Sequence, residues 1–287
     1  MIRRELNFAD GTDLWLLVSQ VDHAHISGEL ARHWYPNFSA DVVDAIRHHD
    51  DGWTAWEATP RLNPEIGAPY SFLEMPLAES LQIWDGSIAA ARRFGPLASY
   101  IVAGHFYSLL SESDHAQEPM AVAWLTEKRK VRTAWLDEWV RSSQTHTLEY
   151  AKQAQQMLRL ADLFSLWLCC DCPIGSDGTS ILEASAMKLR TDALLGQMQL
   201  EVIGFGRRHA TPENPREALA WVVAVTPFPF ELPQLSLATK AIAAPVARYA
   251  NWLELLDASQ SIDLRWRLIP PPESPDRGFV TDLVGRP

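Results

Sequence analysis

The sequence predicts a mainly α-helical α+β protein, and three observations carry that reading. Apolar residues recur at helical spacing through most of residues 20–175, in several separate stretches. Short runs rich in β-branched and aromatic residues occupy the two ends of the chain instead. Two N-terminal strands alone are too short to be stable, so they are expected to join the C-terminal strands in one small sheet. The expected organisation is one domain over residues 1–287, with a helical core at about 20–175 and a β-rich part at about 176–287 joined by strands from 1–19. The alternative is a helical domain carrying a separate β appendage.

Taken in order, Ile2 to Phe8 and Leu14 to Val18 read as strands around Asp10-Gly11-Thr12, a step typical of hairpins. From Asp22 the period becomes helical, with Ile26, Leu30, Ala31 and Trp34 on one face and Pro36 as the stop. A second helix begins after Ser39 and runs through Val42, Val43 and Ile46 to His48-His49-Asp50-Asp51, just before Gly52 as a glycine stop. Residues 52–76 form a long irregular segment rich in Pro, Gly and aromatics, which suits a packed lid better than a loose tether. Helices follow at about 77–94, 96–111, 117–143 and 147–169; the basic run Glu127-Lys128-Arg129-Lys130 reads as a solvated helix face. Beyond residue 175, Gly175-Ser176-Asp177-Gly178 reads as a loop. Strand-like runs follow at Met198–Phe205, Ala220–Val225, Leu235–Ile242 and Ile262–Leu268, with a helix near Pro245–Leu256.

Composition narrows the function classes. An apolar content of 47% suffices for a sizeable core, and a net charge of -11 argues against general binding of nucleic acid or a membrane surface. Several of the twelve tryptophans (Trp34, Trp84, Trp135, Trp167) fall on helices beside aliphatic residues, where packing is their default role. Exposed parts of these Trp-rich helices offer a face for a homodimer. The three cysteines, Cys169, Cys170 and Cys172, are odd in number and clustered, which is no disulfide framework; buried thiols at a helix end are expected. No signal peptide or membrane-length apolar run is visible, so the expected location is cytoplasmic.

The chemistry concentrates at three distant places. Asp162 interrupts an oily helix, with Leu158 and Leu166 one turn to either side, and a carboxylate buried there costs several kcal/mol unless a cation or donor meets it. Either a metal ion or an arginine such as Arg159 would serve. His49-Asp50 offers an imidazole nitrogen and a carboxylate oxygen side by side, at a helix end where acids oppose the dipole and a nearby cation would explain them. His23 leads the helix whose inner stripe is Ile26, Leu30 and Trp34 and is preferred to His25 as a further ligand. His105 lies inside the apolar run Tyr100–Leu110.

A histidine, then a His-Asp pair, then a distant helical aspartate is the ligand order of HD-domain metal-dependent phosphohydrolases, which the chain resembles. The wording of several strings is closer still. Gln20-Val21-Asp22-His23-Ala24, His49-Asp50-Asp51-Gly52-Trp53, Trp56-Glu57, Gly67-Ala68-Pro69-Tyr70, Phe72, Ala161-Asp162 and Thr226-Pro227-Phe228-Pro229-Phe230 together resemble the DUF3891 family of uncharacterised bacterial proteins. That likeness runs over nearly the whole chain and brings no activity with it.

The HD resemblance implies a helical core binding a divalent metal (Mn, Fe, Zn, Co or Ni) through His23, His49, Asp50 and Asp162. It implies hydrolysis of a small phosphate ester or nucleotide, with Asp51 or Asp50 orienting or deprotonating water and His105 stabilising charge on the transferring group. In some HD proteins extra histidines hold a second metal, and His105 is the candidate for that role. The 52–76 segment would wall the pocket, with Trp53, Trp56 and Tyr70 stacking on a flat substrate group. Two other classes remain beside the hydrolase: a non-catalytic metal- or ligand-binding protein, and an HD-type di-iron oxygenase.

Overall fold

A computed structural model describes residues 1–7, 11, 13–172, 185–190, 199–209 and 218–271 of the 287-residue chain. The architecture is mainly α, with a seven-stranded sheet, so the α+β class read from the sequence is the observed one. The chain begins with β1 (Ile2–Asn7) and β2 (Asp13–Val18), which pair antiparallel with Ile2 opposite Val18. The helices follow: α1 (Gln20–Arg32), α2 (Ala40–Arg47), the short α3 (Thr54–Ala58), α4 (Leu77–Ala91), α5 (Pro96–Ser111), α6 (Pro119–Ser142) and α7 (Leu148–Cys170). A two-stranded ribbon, β3 (Leu62–Asn63) and β4 (Ala68–Pro69), lies between α3 and α4. The remaining elements are β5 (Ser185–Arg190), β6 (Gln199–His209), β7 (Ala218–Thr226), β8 (Leu235–Pro245), α8 (Trp252–Asp257) and β9 (Gln260–Ile269).

The sheet order is β1-β2-β8-β9-β7-β6-β5, antiparallel throughout except for the parallel pair β7 and β9. The N-terminal hairpin therefore forms one edge of a sheet otherwise built from the C-terminal part, through Leu14–Leu17 against Ile242–Pro245. Its second strand is buried on both faces, which is why it reads as a continuous apolar run rather than an alternation. Leu14, Leu16 and Val18 enter the main core with the helices, whereas Trp15 and Leu17 face a second cluster with Met1, Ala68, Ala244, Tyr249 and Leu255.

Helix ends follow local chemistry. Ser19 caps α1 by accepting from the Asp22 amide at 3.2 Å, and Thr147 caps α7 by accepting from Tyr150 at 3.2 Å. Pro96 and Pro119 stand in the first turns of α5 and α6, where a missing amide hydrogen costs nothing. Helix α5 is buried on nearly every face, as a central helix must be, and it packs on α2, α4, α6 and α7. Helix α6 is the wet one: of its 24 residues only Ala121, Trp124, Lys128 and Trp139 are buried. Among the described residues no helix is long and apolar enough to cross a membrane.

Some elements differ from the sequence reading. Strand β8 runs on to Pro245, and α8 starts only at Trp252, so the helix expected from Pro245 is shorter. Strand β5 was not expected at all. The segment 52–76 is less irregular than its composition suggests, holding α3, the ribbon and 3-10 turns at Asp51–Trp53 and Phe72–Glu74. It is pinned down by Arg3, which donates to the Pro69 carbonyl and pairs with Glu74, and by Arg248, which donates to Pro64. The loop expected at Gly175-Ser176-Asp177-Gly178 lies outside the described residues, as do Phe8, Asp10, Thr12 and Met198.

Candidate metal centre

Three helices and one turn converge on a buried His/Asp cluster. Helix α1 supplies His23 and α7 supplies Asp162; the turn after α2 supplies His49 and Asp50, and α5 supplies His105. All five are buried, from 0% exposure at His49 to 8% at Asp162. The His49 Nε2 atom lies 3.2 Å from Asp162 Oδ1 and 3.7 Å from Asp50 Oδ2. The His23 Nε2 atom lies 3.1 Å from Asp50 Oδ2 and 3.5 Å from Asp162 Oδ1. His105 stands behind, its Nε2 3.8 Å from Asp162 Oδ2 and its ring edge-on to His49 at 5.3 Å.

Each ligand atom is aimed by its surroundings. Helix α2 ends at Arg47, so His49 and Asp50 lie beyond it on a turn where both side chains face α1 and α7. The His49 Nδ1–H donates to the Ile46 carbonyl at 2.7 Å, which leaves Nε2 to face the carboxylates. His23 Nδ1 is 2.7 Å from the Ser165 hydroxyl, which in turn is 2.7 Å from the Ser27 hydroxyl and donates to the Asp162 carbonyl at 2.9 Å.

Gly52 lets the His-Asp turn approach α4. A Cβ there would collide with the Ile83 carbonyl and lie 2.6 Å from the Ser87 amide nitrogen, while the Gly52 amide donates to Ser87 Oγ at 3.0 Å. Close packing, and not a left-handed helix stop, is thus what requires glycine at this position. Gly52→Ala is expected to cost at least about 2 kcal/mol of stability by overpacking. Urea unfolding of the variant checks this, with a loss below about 0.5 kcal/mol, the scale of an ordinary surface change, counting against it.

The electrostatics are those of a cation site. Two buried carboxylates share the cluster, and among the described residues no lysine or arginine lies within ion-pair distance of either. Burial opposes charge on His49, but the Asp50 and Asp162 carboxylates outweigh it and hold its pKa up to about 9. Burial likewise works against ionisation of Asp162, yet the surrounding histidines keep its carboxyl well below the usual range. Without a metal, then, a proton on His49 holds the two carboxylates together. His105 goes the other way: burial lowers its pKa to about 4, so it is neutral, and among the described residues its buried Nδ1 has no hydrogen-bond partner.

Donor atoms around one divalent ion at bond lengths near 2.1 Å sit about 3.0–3.4 Å apart. The spacings above, 3.1 to 3.7 Å, are close to that before any ion draws them in. The Nε2 atoms of His23 and His49 and an Asp162 oxygen all fall within 4.8 Å of one another. His23, His49 and Asp162 therefore fit a divalent metal, and the Asp50 carboxylate lies beside them, 3.1 Å from His23 Nε2.

The other residues singled out in the sequence are placed elsewhere. Asp51 points away from the cluster, accepting from His48 at 3.1 Å and from Arg93 at 2.6 Å. His25 packs edge-on against His48 at 5.6 Å. Trp53 is buried against Trp56, which packs on the Met1, Trp15 and Tyr249 cluster, and Tyr70 lies under the Arg61 guanidinium at 5.6 Å. The Trp53 amide donates to the Asp50 carbonyl at 3.0 Å, but among the described residues no side-chain hydrogen bond or ring contact joins Trp53, Trp56 or Tyr70 to the His/Asp cluster. Cys169 and Cys172 are buried and Cys170 is half-buried; all are free thiols, and burial pushes Cys170 up to about 12. Sequence reasoning misses Ser27 and Ser165; the one signal for them is a serine one turn after Asp162 on an apolar face.

A family model described as "Protein of unknown function (DUF3891)" matches residues 1–244. No curated protein and no solved structure matches the chain.

Proposed function

The chain belongs to the DUF3891 family, and from that premise we propose that it is a divalent-metal-dependent hydrolase of a small phosphate ester or nucleotide, built on an HD-like helical core. The observation that supports this best is the pair of buried carboxylates, Asp50 and Asp162, facing two Nε2 atoms with no lysine or arginine in ion-pair range among the described residues. His23, His49 and Asp162 would hold the ion with Asp50 beside them, and Mn²⁺, Fe²⁺, Zn²⁺, Co²⁺ and Ni²⁺ all suit such a mixed nitrogen and oxygen set. When bound, the ion lowers the pKa of a water and polarises a phosphoryl oxygen.

The protein's own groups supply the rest. Asp50 has a carboxylate within the cluster and takes over the role of accepting a proton from water, since Asp51 is tied to Arg93 and His48. His105, neutral and with its Nε2 facing the cluster 3.8 Å from Asp162 Oδ2, serves as a hydrogen-bond partner to the substrate's phosphoryl group and brings no charge of its own. A single-domain, cytoplasmic protein is part of the same proposal; three free thiols suit a reducing compartment.

Assaying the Mn²⁺-, Fe²⁺- and Zn²⁺-loaded protein against phosphomonoesters, phosphodiesters and nucleotides tests the reading. Metal-dependent turnover of one class is expected, with His105→Ala lowering kcat about 100-fold, the usual scale for losing a positioned hydrogen-bonding group, while metal content is kept. Full metal loading with no turnover of any of them would make the chain a non-catalytic metal-binding protein.

A further inference from the structure

Beyond the ligands themselves, we propose that the buried hydroxyl pair Ser27 and Ser165 is the positioning device of the centre. It keeps His23 protonated on Nδ1, with Nε2 turned to the carboxylates, and joins His23 and Asp162 into one unit. This inference rests on the metal reading above for its purpose, but not for its geometry.

The argument is a count of protons. A serine hydroxyl has one hydrogen to give and two lone pairs to accept with. Ser165 Oγ lies 2.9 Å from the Asp162 carbonyl, three residues back on α7, and that carbonyl can only accept. The Ser165 hydrogen is spent there, so its lone pairs face the two remaining neighbours, His23 Nδ1 at 2.7 Å and Ser27 Oγ at 2.7 Å. His23 Nδ1 must therefore donate. Ser27 has one hydrogen for two acceptors, Ser165 Oγ at 2.7 Å and the His23 carbonyl at 3.2 Å, and the nearer hydroxyl takes it. With Nδ1 as donor, the neutral His23 ring has a bare Nε2, which sits 3.1 Å from Asp50 Oδ2 and 3.5 Å from Asp162 Oδ1. A lone pair facing two carboxylates is tolerated only with a cation or a proton between them.

The chain of bonds crosses the seam between α1 and α7, the elements that bring in His23 and Asp162. Ser27 and Ser165 are both fully buried, at 0% exposure, so water does not compete for these groups. His49 receives the same treatment from the Ile46 carbonyl. Both histidines thus have one nitrogen committed outside the cluster, the arrangement that fixes tautomer and ring orientation at metal sites.

The plainer reading is that two small serines merely let α1 and α7 pack closely. Ser165→Ala keeps the packing and removes the acceptor, and Ser165→Cys keeps the volume with a far weaker one. The experiment measures Zn²⁺ affinity by chelator competition and the His23 Nδ1–H resonance by ¹⁵N-edited NMR, in both the metal-free and zinc-loaded protein. Wild type is expected to show a slowly exchanging His23 Nδ1–H. Ser165→Ala and Ser165→Cys are expected to lose that protection and bind Zn²⁺ about 10- to 100-fold more weakly, with the metal-free fold retained. Unchanged affinity together with an unchanged resonance would overturn the proposal. A wild-type protein that takes up no zinc would sink the metal reading, while the NMR comparison in the metal-free protein still decides whether the hydroxyl pair sets the His23 tautomer.

Discussion

Asp162→Asn is expected to weaken divalent-metal binding by more than about 100-fold, a loss of roughly 3 kcal/mol or more. The substitution keeps the shape of the side chain and removes its charge. In the native protein that charge faces His49 Nε2 at 3.2 Å and His23 Nε2 at 3.5 Å, in a space closed to solvent. An amide offers a metal ion only a neutral oxygen, and leaves Asp50 as the single anion in the cluster. The metal-free protein should suffer as well, because a buried imidazolium would lose half of its counter-charge, and breaking a buried ion pair of this kind costs about 3–5 kcal/mol. Asp51→Asn is the control. Its carboxylate pairs with Arg93, whose side chain is half exposed, so the change should cost under about 1 kcal/mol and leave metal uptake intact. Chelator competition and urea unfolding on the two variants check both statements. Equal metal affinity in Asp162→Asn and Asp51→Asn would remove the basis for assigning Asp162 to the site.

Metal-free protein should lose stability as the pH rises from about 6.5 to about 9, by roughly 3 kcal/mol over the window, and metal-loaded protein should not. The sign follows from His49, whose pKa is raised from the ordinary 6.5 to about 9 by Asp50 and Asp162 against the effect of burial. Below 6.5 the imidazole is protonated folded or unfolded, and its attraction to the carboxylates stabilises the fold in full. Between the two values only the folded state holds the proton, so each step up in pH favours unfolding. A bound ion takes the place of that proton and flattens the dependence. His105 sets the other limit: its pKa, lowered to about 4 by burial, means that stability also falls as the pH drops from 6.5 towards 4. Metal-free protein is therefore most stable near pH 6.5, and thermal unfolding across pH 5–9 with and without metal displays the difference. Parallel curves for the two forms would contradict it.

Much of the helical framework was legible because it depends on local signals. Ser39, Thr147, Pro96 and Pro119 mark helix starts, and Pro36 follows the end of α1, all by short-range chemistry that needs no knowledge of the rest of the chain. Asp162 was conspicuous for a similar reason, as an acid whose helical neighbours are apolar. What escaped notice depends on partners far away in sequence. Ser165 looks like any small helical residue until Ser27, 138 residues earlier, is seen 2.7 Å from it. Asp51 is indistinguishable from Asp50 in the sequence, and only the approach of Arg93, 42 residues on, turns it out of the cluster. Trp56 resembles a lid residue, but its neighbours Met1, Trp15, Ala244 and Tyr249 come from both ends of the chain. Gly52 reads as a helix stop, whereas α4 crossing close against it is the actual constraint.

Calorimetric titration of metal-free protein with Zn²⁺ and Mn²⁺, repeated in buffers of different ionisation enthalpy, tests the whole account most directly. Uptake of one ion per chain is expected, with release of a proton near neutral pH as the metal displaces the one held on His49, and with both signals lost in Asp162→Asn. A folded wild-type protein that takes up neither ion, or that binds one equally well without Asp162, would contradict it.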